Sequence, residues 1–453
     1  MRVAVDTHGC RLNQAESDAI AEQLRAAGHE LVPRAELADL YLLNSCAITH
    51  EADADARAAV RRARRHNPAV EVIVTGCHAN AEPEALAAMP EVTAVLGNLE
   101  KGRAELPRLI AQALDSARGE RADGGAFVSV SRLSRSVRRE RPDAWSLPPA
   151  TSVPRTRPLL KVQDGCDYQC SFCIVPSVRG RSRSLDVETL ATQLRGLVDA
   201  GHPEVVLTGA HLGLWGRDLG QGERGLAALV AGLRAAVPEA RLRLGSVDPH
   251  EVDDALVRWV ARGVDGRGAG LVPHLHLPIQ HGDDGVLRAM RRAHRVADLE
   301  QLAPKLRAAD PHMAIGTDVI VGFPGEDDGA FERTHALFEA LAIPFAHVFS
   351  WSPRSGTPAV DLPDRVPAPT AAARSKALRE RVATNWAGFV DGQLGALRSA
   401  VVLRRRNRQG QLVALTDNYL RVVLDGPDSA LGRRAWIELQ GREDKRVRAS
   451  LRD

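Results

Sequence analysis

The chain has 453 residues, 44% of them hydrophobic and 4% aromatic, and its 60 basic and 57 acidic side chains leave a net charge of +3. That length holds about two to four domains with ample buried core, and that composition excludes a disordered chain. No uninterrupted apolar run reaches the ~18 residues that span a bilayer, and Arg2-Val3-Ala4-Val5-Asp6 lacks the apolar core of a signal peptide, so no membrane partner is expected.

Near the amino terminus, three apolar runs each lead into a cysteine. Val3-Ala4-Val5 precedes Thr7-His8-Gly9-Cys10, Leu40-Tyr41-Leu42-Leu43 precedes Asn44-Ser45-Cys46, and Val72-Ile73-Val74 precedes Thr75-Gly76-Cys77. Helical stretches, Ala15 to Ala27 and Ala52 to Arg65, follow the first two. Apolar runs alternating with helices predict β-α-β units in a parallel sheet, whose strands all end along one edge. Cys10, Cys46 and Cys77 then converge in space; the alternative is three buried core thiols. This first domain is expected over residues 1–117. From Gly119 to Thr156 the sequence is rich in Arg, Ser, Gly and Pro, which predicts a linker, drawn at 118–151.

A central α/β domain is expected over 152–382. Leu159-Leu160-Lys161-Val162 reads as its first strand and runs into Asp164-Gly165-Cys166-Asp167-Tyr168-Gln169-Cys170-Ser171-Phe172-Cys173. Iron–sulfur clusters usually take four cysteine thiolates, so CxxxCxxC leaves one iron open to a small molecule. A zinc site or a disulfide loop are the alternatives, but zinc sites usually pair CxxC with a further Cys or His, and three thiols cannot all pair. Further strands are predicted at Glu204 to Thr208, Arg241 to Gly245, Leu275 to Ile279, Thr317 to Val321 and Ala346 to Ser350. Helical stretches such as Val187 to Asp199 and Asp284 to Arg292 lie between them. In such a domain, active groups belong at the carboxyl ends of the strands.

From about Trp386 the text changes to short alternating segments, Leu397 to Leu403, Leu412 to Leu415, Leu420 to Leu424 and Ala435 to Leu439, which predict a small antiparallel barrel over 383–453. Arginines bunch in three places: Arg57, Arg61, Arg62, Arg64 and Arg65; Arg132, Arg135, Arg138, Arg139 and Arg141; and Arg404, Arg405, Arg406 and Arg408. Each bunch suits phosphate contacts, or is a solvated charged face.

Two cysteine triads in this order, with no other cysteine in the chain, resemble the radical S-adenosylmethionine (SAM) methylthiotransferases over nearly the whole length. The resemblance implies an amino-terminal parallel α/β domain, a central partial (β/α)6 barrel and a small RNA-binding TRAM barrel. It implies two [4Fe-4S] clusters, an auxiliary one on Cys10, Cys46 and Cys77 and a SAM-cleaving one on Cys166, Cys170 and Cys173, with no catalytic residue beyond these ligands. Phe172 matches the aromatic position near the SAM adenine. Gly209, in Thr208-Gly209-Ala210-His211, falls where the methionine moiety of SAM is held, although the family's Gly-Gly-Glu is absent. Gly322 lies in Asp318-Val319-Ile320-Val321-Gly322-Phe323-Pro324-Gly325-Glu326, which matches a family motif near the cofactor. Gln280 lies in Leu277-Pro278-Ile279-Gln280-His281-Gly282-Asp283, which resembles Pro-Leu-Gln-Ser-Gly-Ser with His281 and Asp283 in place of two serines. Gln280, Arg404, Arg405 and Arg406 are the expected substrate contacts.

Thr7-His8-Gly9-Cys10-Arg11-Leu12-Asn13-Gln14 and Asn44-Ser45-Cys46-Ala47-Ile48-Thr49 look most like the branch that modifies threonylcarbamoyladenosine in tRNA. The implied reaction replaces hydrogen by methylthio on carbon 2 of the adenine next to the anticodon, at tRNA position 37. Implied partners are the tRNA anticodon stem-loop, an electron donor such as flavodoxin or ferredoxin, and a sulfur donor, all in the cytoplasm. The same reaction on isopentenyladenosine, thiolation of a ribosomal-protein aspartate, and a non-catalytic iron–sulfur RNA-binding redox sensor stand as alternatives.

Overall fold

The computed structural model describes residues 1–34, 36–103, 105–120, 126–131, 146–220, 225–263 and 270–452. The arginine cluster at Arg132, Arg135, Arg138, Arg139 and Arg141 lies outside the described residues.

The first unit is a six-stranded sheet of β1 (Arg2–Thr7), β2 (Glu30–Leu31), β3 (Leu40–Ser45), β4 (Glu71–Gly76), β5 (Ala94–Leu96) and β6 (Phe127–Ser129), in the order β2-β1-β3-β4-β5-β6 and parallel throughout. Side chains alternate across it and feed two apolar layers. Tyr41, Leu43, Val72 and Val74 pack on Ala56, Ala59 and Val60 of the helix His50–His66. Leu40, Leu42 and Ile73 pack on Ile20 and Leu24 of the helix Arg11–Ala26 and Ile110 of the helix Leu106–Glu120. Strand β6 falls inside the stretch expected as linker: Phe127 pairs with Ala94 and completes the sheet edge.

The central unit carries β7 (Leu159–Lys161), β8 (Gln163–Asp164), β9 (Arg183–Ser184), β10 (Val205–Thr208), β11 (Leu242–Leu244), β12 (His274–His276), β13 (Ala314–Val321) and β14 (Phe345–Ser350). Apart from the antiparallel β8-β9 pair, these form two parallel sheets, β7-β10-β11 and β12-β13-β14, joined by parallel bridges Leu242 to Leu271 and Ser246 to His276. The result is a six-stranded partial barrel. Leu160, Leu207, Leu244, Leu275 and Val319 share one core with helix residues such as Leu190, Leu229 and Leu302. The alternate residues Lys161, Thr208, Arg243, His274, His276, Asp318 and His347 lie on the opposite strand faces and line a polar lumen.

Strands β15 (Leu397–Arg406), β16 (Leu412–Thr416), β17 (Arg421–Leu424), β18 (Arg434–Glu443) and β19 (Arg446–Arg452) close a barrel in the order β15-β16-β17-β19-β18. Helix Ala368–Asp391 runs through the 382/383 boundary, so Trp386 is helical and packs with Phe389 on the barrel core. The small barrel docks where the central strands begin, away from the Cys166–Cys173 loop. Glu204, fully buried, accepts from Arg157, Arg241 and Arg243, and Arg241 also donates to Ser399 Oγ at 2.5 Å.

Candidate functional site

The first triad forms because β1, β3 and β4 are parallel neighbours. Cys10 precedes the helix Arg11–Ala26, Cys46 follows β3, and Cys77 opens the short helix Cys77–Ala81. Gly9 (φ +112°) is pressed against Cys46: a Cβ there would lie 2.7 Å from Cys46 Cβ and 3.0 Å from its Sγ. Only glycine takes that conformation in that space. Burial pushes the Cys46 thiol up to about 12, and the like charges of Cys77 and Cys10 add to the shift, as thiols facing one shared space do.

The second triad sits on the loop after β8. Gly165 (φ +73°) turns the chain where a Cβ would strike Arg181 O at 2.0 Å, and Cys166 N–H donates to Gly180 O at 3.0 Å. Ser171 is pinned by its N–H on Met290 O at 3.0 Å and its hydroxyl on Ala289 O at 2.8 Å. Burial pushes the Cys173 thiol up to about 12, with Cys170 and Cys166 adding to it. All six cysteines are free. Each triad therefore presents three unpaired sulfurs to one space, a donor set that fits an iron–sulfur cluster with one open iron.

Sequence reasoning missed the groups that face these sulfurs. Arg292 Nη1 lies 3.5 Å from Cys170 Sγ, while its Nη2 donates to Asp248 at 2.6 Å and Pro278 O at 3.0 Å. A guanidinium here offsets the charge of a thiolate set. His211 Nδ1 lies 3.7 Å from Cys166 Sγ, and its Nε2 is 2.8 Å from Glu251 Oε2, which fixes the ring. Arg179 joins the two loops. It is 2% exposed, donates to Asn13 Oδ1 at 2.6 Å beside Cys10, and donates to Asp164 Oδ1 at 3.0 Å beside Gly165. Burial works against its charge, but Cys77, Glu16 and Asp164 hold it well above the usual guanidinium range. An arginine among arginines carries no periodic signal, so Arg179 and Arg292 become visible only in the fold.

Phe172 is partly buried against a small apolar cluster with Met290, Phe323 and Trp351. Gly209 backs onto Gln163, where a Cβ would lie 2.7 Å from Oε1, and Gln163 Oε1 accepts from His211 N–H at 2.9 Å. Gly322 (φ +75°) leaves space for Ala371 of the long helix, whose Cβ would be 2.6 Å from one built there. Gln280 holds the left-handed φ of +65° while its backbone bonds Asp318 O at 2.9 Å and Ile320 N–H at 2.8 Å. That conformation is costly for a non-glycine residue. His281 is buried, lies 3.5 Å from Glu326 and contacts Thr334 Oγ1 at 3.2 Å; Asp283 caps the helix Asp284–Ala289 through Val286 N–H at 2.9 Å. Both are structural positions of the loop.

The arginine clusters divide. Arg404 and Arg405 are exposed and line a groove with Arg155, Thr156 and Arg157. Arg406 instead donates to Asp428 at 2.5 Å, Gly426 O at 2.9 Å and Gly410 O at 2.6 Å, within the barrel. Arg61, Arg62 and Arg65 are exposed, whereas Arg64 turns inward onto Glu91 O at 3.2 Å and Pro68 O at 3.0 Å. No helix of the described residues is long and apolar enough to cross a membrane.

Two family models match, "Uncharacterized protein family UPF0004" over residues 2–97 and "Radical SAM superfamily" over residues 160–338. The threonylcarbamoyladenosine tRNA methylthiotransferase MtaB of Rickettsia prowazekii is 33% identical over 452 residues, covering 100% of this chain and 98% of that protein. The Bacillus subtilis protein of the same name is 33% identical over 96% of this chain and 93% of its own. The tRNA-2-methylthio-N(6)-dimethylallyladenosine synthase of Cereibacter sphaeroides is 33% identical over 95% and 94%. Among solved structures, the radical SAM methyltransferase TsrM from Kitasatospora setae, with cobalamin and a [4Fe-4S] cluster bound, superposes with a TM-score of 0.53 at 15% identity, over 84% of each chain, a likeness of fold. With two cysteine triads, a six-stranded partial barrel and relatives 33% identical over nearly its full length, the chain belongs to the radical SAM methylthiotransferase family.

Proposed function

We propose that this protein is a tRNA methylthiotransferase that places a methylthio group on carbon 2 of threonylcarbamoyladenosine next to the anticodon. The observation that carries this reading is the pair of three-cysteine sites, one at three strand ends of the first unit and one on the loop after β8, tied together by the buried Arg179, which donates to Asn13 beside the first and to Asp164 beside the second. Its relatives named for the threonylcarbamoyl substrate span nearly the whole chain. In this reading Cys10, Cys46 and Cys77 hold an auxiliary [4Fe-4S] cluster, and Cys166, Cys170 and Cys173 hold a second. When bound, these clusters and SAM supply the sulfur, the methyl group and the radical that removes hydrogen from the adenine.

The chain's own groups bind, orient and exclude water. Arg292 and Arg179 offset thiolate charge at the two loops and fix their separation. In this reading Phe172 and the backbone at Gly209 and Gly322 support the cofactor from behind the lumen wall, Gln280 contacts the substrate base, and Arg404 and Arg405 contact RNA phosphates. His347, exposed on β14, and the His276–Asp318 pair at 3.1 Å line the wall against which a splayed-out base stacks. Flavodoxin or ferredoxin as electron donor, and a separate sulfur donor, complete the reaction. The test is nucleoside mass spectrometry of tRNA from a strain lacking the protein. Loss of the methylthio mark on threonylcarbamoyladenosine alone is the expected result; loss on isopentenyladenosine instead reassigns the substrate, and an unchanged nucleoside profile overturns the reading.

A further inference from the structure

We infer that Arg11 is the specificity-determining residue that reads the carboxylate of the threonylcarbamoyl group on the substrate adenosine. The inference rests on the threonylcarbamoyl reading above. Threonylcarbamoyladenosine ends in an amino-acid carboxylate, whereas isopentenyladenosine ends in an apolar chain. A site that prefers the former needs a cation beside the sulfur-bearing triad and open to the lumen.

Arg11 has that placement. It immediately follows Cys10, and its Nη2 donates to the Tyr419 hydroxyl at 2.8 Å. Tyr419 reaches in from the small barrel with φ +73°, and its ring stacks on His274 of β12 at 4.1 Å and meets Phe345 of β14 edge-on at 6.0 Å. Arg11, from the first unit, is thus held by Tyr419 of the small barrel, which is itself seated on His274 and Phe345 of the central unit, and it is partly exposed.

Charge separates Arg11 from its neighbours. Arg157, Arg241 and Arg243 share Glu204, and Lys161 and Arg179 share Glu16 and Asp164. Among the described residues Arg11 pairs with no carboxylate, and the Tyr419 hydroxyl is the one side-chain partner it has. The rest of its planar fork is free to bind a carboxylate in two-point fashion. The local field favours an anion as well. Burial first, then the positive charges of Arg243, His276 and Arg11, hold His274 well below the usual imidazole range, as a field that resists further positive charge does.

The test is equilibrium binding of the cluster-loaded protein to three synthetic anticodon stem-loops. One carries threonylcarbamoyladenosine, one the same nucleoside with its carboxylate converted to carboxamide, and one isopentenyladenosine. The wild type is expected to bind the carboxylate loop about 10- to 100-fold more tightly than the carboxamide loop, the range of a charged hydrogen-bonded pair. Arg11→Gln should bind those two loops equally, Arg11→Lys should keep part of the preference, and Tyr419→Phe, which leaves the cation but frees it, should lose part. Iron content equal to wild type serves as the check that Arg11→Gln still assembles; if it does not, Tyr419→Phe alone decides, and a full preference in that variant overturns the inference. A preference kept by Arg11→Gln, or absent from a wild type that nevertheless methylthiolates the threonylcarbamoyl loop, overturns the inference and leaves the proposed reaction standing. Turnover of the isopentenyl loop only overturns both.

Discussion

Glu16 and Arg179 are locked together across the boundary between the first and central units, with Arg179 Nη1 2.9 Å from Glu16 Oε1 and Nη2 3.1 Å from Oε2. Lys101 approaches the same carboxylate at 2.6 Å and Lys161 at 2.9 Å, so one buried anion holds three cations from three segments. This knot fixes the separation of the cysteine loops.

Replacing Glu16 by Gln should therefore destabilise the protein far more than a surface change. Removing one partner of a buried ion pair costs about 3–5 kcal/mol because the remaining charges stay buried. Burial opposes ionisation of Glu16, but Arg179, Lys101 and Lys161 outweigh it and hold the carboxyl well below its usual range. A depressed folded-state pKa contributes stability that is present above the unfolded value of about 4.3 and is lost as pH falls towards the folded one. Wild type should thus lose stability more steeply than Glu16→Gln below about pH 4. Thermal melts at neutral and acid pH check both points; equal midpoints at pH 7 would show that the knot is idle.

Anaerobic reconstitution should load about eight irons, as two four-iron clusters, since each triad leaves one iron open. The triple variant Cys166→Ala, Cys170→Ala, Cys173→Ala should hold about half as much. Iron and sulfide assays with circular dichroism as the fold check decide it. A folded triple variant with either the full iron content or none contradicts the two-site reading.

Much of this site is legible in sequence because three strand-ending cysteines in parallel β-α units must share an edge, and the structure delivers that. The six central strands were likewise marked by compact apolar runs such as Leu159-Leu160-Lys161-Val162. Short elements escaped: Ala94–Leu96 and Phe127–Ser129 are too brief for a period to show, and Arg446–Arg452 hides its inward Val447 and Ala449 between arginines. Trp386 marked the wrong place for the start of the barrel because a helix of 24 residues continues to Asp391 and turns its aromatic end onto the barrel core. The cations at the sulfurs were invisible because pairings such as Cys170 with Arg292, 122 residues apart, are set by tertiary structure alone.

The triads should divide the chemistry. Replacing Cys10, Cys46 and Cys77 together by Ala should abolish methylthiolation of tRNA but leave reductive cleavage of SAM, measured as 5′-deoxyadenosine, because the second loop is built on other elements. Burying an alanine in place of Cys46 or Cys77 removes no packing partner larger than a sulfur, so the sheet should persist. Residual methylthiolation by this variant would remove the first triad from sulfur delivery.

RNA affinity should depend on Arg404 and Arg405 and not on Arg406. The first two are exposed in a groove with Arg155 and Arg157, while the fork of Arg406 is already bonded to Asp428 and two backbone carbonyls. Phosphate contacts give affinity by releasing counterions, and each one lost flattens the dependence of log Kd on log salt by somewhat less than one. The double variant Arg404→Glu, Arg405→Glu should bind any tRNA more weakly and with a slope reduced by about one to two, without changing which base is modified. Arg406→Glu is different, because it sets a carboxylate against Asp428 and should lower the melting temperature of the barrel before it affects the salt slope. Titrations at several salt concentrations separate the cases. A double variant with wild-type affinity and slope would make this groove a solvated face and move the RNA contacts to Arg61, Arg62 and Arg65.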